Sequence, residues 1–452
     1  QMSESGSGRG LRSRVGRRRF LGGVGAAAVA TLAGCTSLPG LGYDREQSAF
    51  DPEILPYEET YPPRDDVTMF RRGTRRLGYY PDVTTPQSVE VEWSIPMNEI
   101  GHTAAKSSPR PTPAGDRLII PDDTGKLHAV TPDGERQWTV ETGASTSLGF
   151  HGTPTIVGDV GYIGGYDGSM YAFDVASGEM VWKTSNWRLH GAIAIGSSPA
   201  YWDGVLYVVA EYNYPWQEPS GTMWALDAET GRPLWNDDRL WGMPHPSTAI
   251  DPATERMLTG SNDGVCYCWE FPSLEPVWEF ETDAQIKGTI PTYEGGAFVG
   301  SWDGHLYRLD LEDGSEDWSF ETGAVTMSNP GIDPDSGTVY VGSDNHHVHA
   351  LDTQTGEELW STYVGGHVIG SLTVTADAVL VGSYDTHLYA LEKDTGDIRW
   401  RVENIGHVTS EAVPHDGRIY YAERAEITGY WNDDADTVVE TPGHAYCLAP
   451  DS

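Results

Sequence analysis

His387-Leu-Tyr-Ala-Leu-Glu-Lys-Asp-Thr-Gly-Asp-Ile-Arg-Trp400 decides how the rest of the chain is read. Leu388 and Ala390 point to one side and Tyr389 and Leu391 to the other, the period-2 alternation of a half-buried strand. Asp394, Thr395 and Gly396 follow as turn residues, with glycine free to take positive φ. A second strand then ends on Trp400, a side chain large enough to fill the seam between two packed sheets.

The same phrase ends at Trp360 (HVHALDTQTGEELW), Trp318 (HLYRLDLEDGSEDW), Trp278 (VCYCWEFPSLEPVW), Trp235 (TMWALDAETGRPLW), Trp182 (SMYAFDVASGEMVW) and Trp138 (KLHAVTPDGERQW). The seven copies stand 40 to 53 residues apart, the period of a four-stranded propeller blade. Two halves are left over: Trp93 in VEVEWSI lacks a preceding strand, and HAYCLAP (444–450) lacks a following tryptophan. Joined, they complete an eighth blade and remove two exposed sheet edges. The expected fold is all-β: an eight-bladed β-propeller with four antiparallel strands per blade, its last blade closed by the N-terminal and C-terminal strands.

The repeat Ala-x-Asp-x-x-Thr-Gly-x-x-x-Trp, as in Ala225 to Trp235 and Ala350 to Trp360, resembles that of the PQQ-type eight-bladed propellers. That superfamily holds quinoprotein alcohol dehydrogenases and non-catalytic relatives of the BamB type. The resemblance covers about residues 67 to 449 and speaks for fold more than function, since one fold carries many sites.

Charge bounds the partners. There are 29 basic and 67 acidic residues, a net charge of -38, and only five of the basic residues are lysines. Such a balance argues against nucleic acid or an anionic membrane surface as a general partner. It resembles the acidic, lysine-poor composition of haloarchaeal proteins, for which concentrated salt screens self-repulsion; at about 1 M the Debye length is roughly 3 Å.

Residues 1–34 read as a leader rather than fold. Arg17 and Arg18, followed by Phe20-Leu21, resemble a twin-arginine export signal. The apolar run from Gly22 to Ala33 is too short to span a bilayer. Leu32-Ala33-Gly34-Cys35 is similar to a lipobox, which implies lipidation of Cys35 and tethering to the outer face of the cytoplasmic membrane. Residues 35–66 are rich in proline and acids and read as an extended linker. Residues 67–452 form the propeller, with 67–88 packing on the ring. Within that segment Arg71, Arg72, Arg75 and Arg76 make the only basic cluster of the mature chain; the alternative to packing is contact with lipid headgroups.

Cys266, Cys268 and Cys447 occupy small core slots of the repeat. Cys268 belongs to blade 4 and Cys447 to blade 8, too far apart for a disulfide. Asp167-Gly168, Asp263-Gly264 and Asp303-Gly304 fall between strands, where Asp-Gly makes a hairpin turn, and no loop gathers the alternating oxygen ligands of calcium. No metal site is expected.

Aligning the inner strands puts Lys106, His151, His245 and Lys287 in one column around the axis, with Gly196, Met327, Ile369 and Thr409 in the other blades. Glu411 lies two residues along the eighth strand, with His367 and His407 near the rim. The same face receives two insertions. Residues 210–221 carry Tyr212, Tyr214 and Trp216, and residues 422–443 carry Tyr430 and Trp431. Trp187 and Trp241 lie in loops on that side. Loops on a rigid scaffold are where binding usually resides, and aromatics make good contact residues. The opposing reading is that these rings plug the ring and the lysines pair with acids.

The resemblance leaves two functional classes. A quinoprotein dehydrogenase would hold pyrroloquinoline quinone with calcium and an Asp base. That family's adjacent Cys-Cys pair is absent from the sequence, as is a Cys-x-x-Cys-His haem motif. The favoured class is a non-catalytic, cofactor-free, membrane-anchored binding scaffold, a monomeric ring engaging an envelope protein or surface glycan through one face. A further alternative is an anion- or polysaccharide-binding subunit of a transport or sensing complex. The composition makes one prediction independent of that choice. The melting temperature should fall as salt is removed, and an unchanged melting curve after dialysis into dilute buffer would refute the salt dependence.

Overall fold

The structure, a computed structural model, describes residues 66–98, 108–144, 148–424, 426–428 and 438–451. The leader with Arg17, Arg18 and Cys35, the linker up to residue 65, Lys106, Tyr430 and Trp431 lie outside the described residues. Eight antiparallel four-stranded sheets follow one another as blades, each running from an inner strand outwards. Blade 6 is representative, with strands Gly331–Asp333, Thr338–Gly342, His347–Asp352 and Glu358–Tyr363. In blade 8, Val413–His415, Arg418–Ala422 and Gly443–Pro450 are completed by Val89–Asn98 from the other end of the chain, with Trp93 opposite Cys447. The ring is closed by both chain ends.

The repeat motif is mostly turn and seam chemistry. The Asp227 carboxylate accepts from the Thr230 N–H and Oγ1, both at 2.8 Å, and Asp352 does the same for Thr355 at 2.8 and 2.9 Å. Gly356 then takes φ 70°, and a Cβ there would come within 2.7 Å of the Trp318 ring of the preceding blade. The indole N–H groups of Trp93, Trp138, Trp182, Trp278, Trp318 and Trp360 each donate to a carbonyl in that turn of the next blade, at 2.9 to 3.2 Å. Trp400 donates to Pro86 at 2.8 Å, beside the strand that completes blade 8. Trp235 faces a different turn, in which Leu274 stands at the glycine position with φ 61°, and packs on the core shared by blades 3 and 4.

A belt of polar side chains ties the inner strands around the axis. The Ser108 N–H donates to Thr153 Oγ1, Thr153 to Ser198 Oγ, Ser198 to Ser247 Oγ, Ser247 to Thr289 Oγ1 and Thr289 to Asn329 Oδ1, at 2.6 to 3.2 Å. Asn329 Nδ2 continues to Ser371 Oγ, and the Glu411 N–H returns to Ser108 Oγ at 2.9 Å. All eight residues are buried.

Residues 66–85 run across the inner strands inside this belt. Val67 and Thr68 pair with Val157 and Ile156 of blade 2. Carbonyls of Thr74, Arg75, Leu77 and Gly78 then accept from Ile250, Thr292, Ile332 and Val374 of blades 4 to 7. Tyr79 and Tyr80 pair in parallel with Val374 and Thr375. Two guanidiniums from this strap are sunk into the axis. Arg71 donates to the carbonyls of Arg76, Leu77, Pro330 and Leu372. Arg76 donates to those of Phe70, Ser198 and Thr248. Burial pulls the Arg71 pKa down to about 10 and that of Arg76 to about 9, so both stay charged at neutral pH.

Glu411 is the anion of this plug. It is fully buried and receives Arg110 Nη2 at 2.6 Å, the Tyr80 hydroxyl at 3.2 Å and the Arg71 backbone N–H at 3.3 Å. Burial opposes the Arg110 charge, but Glu411 and Tyr80 outweigh it and raise its pKa. The sequence-based assignment of Glu411 to a ligand site is therefore corrected: its oxygens are taken up inside the fold. Arg71 and Arg76 are buried in the same plug, out of reach of lipid headgroups. Glu411→Gln should destabilise the ring by about 3–5 kcal/mol, because Arg110 would be left buried without its counter-charge. Glu411→Gln with Arg110→Met should recover much of that loss in denaturant titrations.

Candidate functional site: the mouth of the axial channel

Two residues before the belt at the starts of the inner strands stand the described column residues His151, Gly196, His245 and Lys287. His151 is buried and its ring lies 3.8 Å from that of Tyr166. His245 Nδ1 stands 3.3 Å from Glu211 Oε1. Lys287 Nζ sits 4.2 Å over the Trp302 ring; burial lowers its pKa, against the attraction of Glu211. Glu211 thus links the two blades that supply His245 and Lys287. A Cβ on Gly196 would meet Tyr166 Oη at 3.1 Å and Glu211 Oε1 at 3.3 Å, so the glycine of the column makes room for both. Sequence reasoning missed Glu211. The available signal was a lone acid at the end of the apolar run Val205 to Ala210, a strand buried throughout.

The rim extends this site at blades 6 to 8. His346 and His367 have ring centroids 4.7 Å apart, and Tyr384 stacks on His407 at 4.4 Å. Burial lowers the His407 pKa, so its ring is neutral at pH 7.

The blade 3 insertion divides into anchors and a tip. Tyr212 is corrected from a contact candidate to a core residue: it is 6% exposed, its hydroxyl donates to the Leu189 carbonyl at 2.8 Å and it accepts from Trp224. Tyr214 is half-buried and its hydroxyl donates to Gly191 O. Trp216 stacks on Tyr214 with centroids 4.8 Å apart and is 77% exposed. Trp187 and Trp241 are 65% and 76% exposed.

The thiols and turn aspartates are accounted for structurally. Cys266, Cys268 and Cys447 are free and buried, and burial pushes the Cys268 and Cys447 thiols up to about 12, leaving them protonated and unreactive. Asp167, Asp263 and Asp303 each accept a backbone N–H two residues on and the hydroxyl of a tyrosine four residues on. Among the described residues no three His, Cys, Asp or Glu side chains converge to hold a metal ion.

Among the described residues, the acids at and beneath the mouth are already engaged and do not form a free donor set for a quinone with a coordinated cation. Glu211 is engaged with His245, Glu411 is consumed by Arg110, and the space beneath the belt is filled by Arg71 and Arg76. Nor is any described helix long and apolar enough to cross a membrane.

Comparison with known proteins agrees with this architecture. Residues 132–259, 238–334 and 327–434 match the family described as outer membrane protein assembly factor BamB. BamB of Yersinia pestis is 24% identical over 220 residues, covering 47% of this chain and 53% of that protein. The serine/threonine-protein kinase AfsK of Streptomyces coelicolor is 29% identical over 237 residues, covering 51% of this chain and 26% of the kinase. The chain thus spans only a quarter to about half the length of these relatives. The crystal structure of quinohemoprotein alcohol dehydrogenase from Comamonas testosteroni shares the fold, with a TM-score of 0.67 and 14% identity over 85% of this chain and 81% of that one. With more than half of its residues matched blade after blade, the chain belongs to the BamB family of PQQ-type eight-bladed propellers.

Proposed function

We propose that this protein is a non-catalytic scaffold of the cell envelope, tethered through lipid on Cys35 and binding an envelope protein or surface glycan through the face around the channel mouth. The observation that carries this reading is the plug. Arg71, Arg76 and the Arg110–Glu411 pair occupy the axis directly beneath the mouth. A ligand there meets a shallow floor of buried, mutually satisfied groups rather than a chamber that could enclose a cofactor and exclude water.

One feature of the relatives supports the assignment and another bears on the alternative. The matched family is named for outer membrane protein assembly, a role in which a propeller serves other envelope proteins. The quinohemoprotein relative keeps the alternative of a quinone-dependent dehydrogenase open to test, although the donor set described above weighs against it. An anion-binding subunit is less favoured, because the Glu211 carboxylate stands between His245 and Lys287 at the mouth.

The dehydrogenase alternative is tested by titrating the purified protein with pyrroloquinoline quinone and calcium in concentrated salt. We expect no saturable binding and no alcohol-dependent dye reduction; stoichiometric quinone binding would overturn the scaffold assignment. In intact cells, a photocrosslinker placed at position 216 should capture a discrete envelope component, whereas one placed at Val181 on an outer strand should not.

A further inference from the structure

We infer that Trp187, Trp216 and Trp241 together form a binding platform for neutral polysaccharide, an assignment that rests on the scaffold reading and names its ligand. Among the described residues these are the tryptophans that stand exposed. Trp216 is on the hairpin joining the second and third strands of blade 3, Val205–Tyr212 and Ser220–Asp227. Trp187 follows the outer strand of blade 2, Met180–Thr184, and Trp241 follows that of blade 3, Pro233–Leu240. Antiparallel order puts the ends of second and outer strands on one face.

Contacts make the three segments one surface. The Tyr214 hydroxyl at the hairpin tip donates to Gly191, in the loop that carries Trp187. At the hairpin root Gly221 packs so tightly on Pro244, in the loop that carries Trp241, that a Cβ would lie 2.3 Å from Pro244 Cδ. Each of the three residues also has a neighbour that anchors its ring or its backbone. Trp216 has Tyr214 stacked on one side, 12° from parallel. Trp187 lies in the short 3-10 turn Asn186–Leu189 with the Arg188 guanidinium 5.8 Å from its centroid. The Trp241 backbone N–H donates to Asp263 Oδ2 at 3.0 Å.

Exposed indoles mark a contact site, since aromatic area favours association and a side chain with two torsions loses little entropy on binding. The surroundings choose the partner. The hairpin tip around Trp216 offers exposed Asn213, Gln217 and Glu218 beside Pro215. The centre of a protein interface is depleted of acidic side chains, whereas Glu218 stands exposed two residues from Trp216. Anionic polymers and lipid headgroups are disfavoured by a net charge of -38. A neutral sugar ring fits both features: its C–H face is weakly positive and lies on the negative face of an indole, and its hydroxyls accept hydrogen bonds from amide N–H groups and donate them to carboxylates.

The test is affinity electrophoresis and calorimetry of the intact protein in concentrated salt with dextran, mannan and galactan, and with alginate as the anionic comparison. At least one neutral polymer should bind and alginate should not. Trp187→Ala, Trp216→Ala and Trp241→Ala should each weaken binding roughly tenfold, the scale of one anchoring aromatic, while Val181→Ala leaves it unchanged. Near-UV circular dichroism and the melting temperature report whether each variant is folded. Failure of all three neutral polymers, equal binding of alginate, or binding unaffected in the triple variant overturns the assignment. If the neutral polymers fail while the crosslinker at 216 captures an envelope protein, the sugar assignment falls and the scaffold stands; if nothing is captured either, both fall.

Discussion

The innermost strands of a propeller turn one row of backbone N–H and C=O groups towards the axis, where no further strand can pair with them. A buried peptide group without a partner costs as much as a lost hydrogen bond. In this ring the strap of residues 66–85 meets that constraint for blade after blade, and Arg71 and Arg76 finish it by donating to carbonyls contributed by several different blades. The belt of hydroxyl and amide side chains does the same one layer higher. Neither device could be replaced by apolar packing alone, because the groups to be satisfied are polar and their geometry is set by the ring.

Meeting that constraint with the chain itself determines what the axis can do. A guanidinium presents five donors in a planar fork, which suits several carbonyls arriving from different directions, and it remains charged when buried. Three such groups and one carboxylate occupy the axis beneath the mouth. His151, Glu211, His245 and Lys287 gather at the mouth above them. The mouth is lined by both signs of charge, and the insertion of blade 3 commits Tyr212 and Tyr214 to anchoring so that Trp216 stands out.

The scarcity of basic residues gains meaning from where they are used. Arg71, Arg76 and Arg110 are inside the ring, Arg399 joins Asp377 and Glu392 at 2.8 and 2.6 Å, and Arg418 joins Glu92 at 2.6 Å across the closing blade. The remaining surface carries the acidic excess. Exposed pairs among them contribute little, whereas the buried Arg110–Glu411 pair is costly to break.

The eight-fold repeat, the strand alternation, the turn chemistry of Asp-x-x-Thr-Gly and the stitching of Trp93 to the C-terminal strand were all legible in the chain, because each depends on neighbours within one blade or on a period that repeats. The fates of Glu411, Tyr212 and Glu211 were not. Glu411 meets Arg110 across 301 residues and Arg71 across 340, and Glu211 meets a histidine of the next blade. A strand pattern tells which side of a sheet a residue faces; it does not tell what arrives there from the far end of the chain. The sequence alone determined the ring and the face on which its loops emerge. The tertiary structure decided that the axis is sealed and which side chains are left to meet a partner, because those outcomes turn on long-range polar satisfaction rather than on local periodicity.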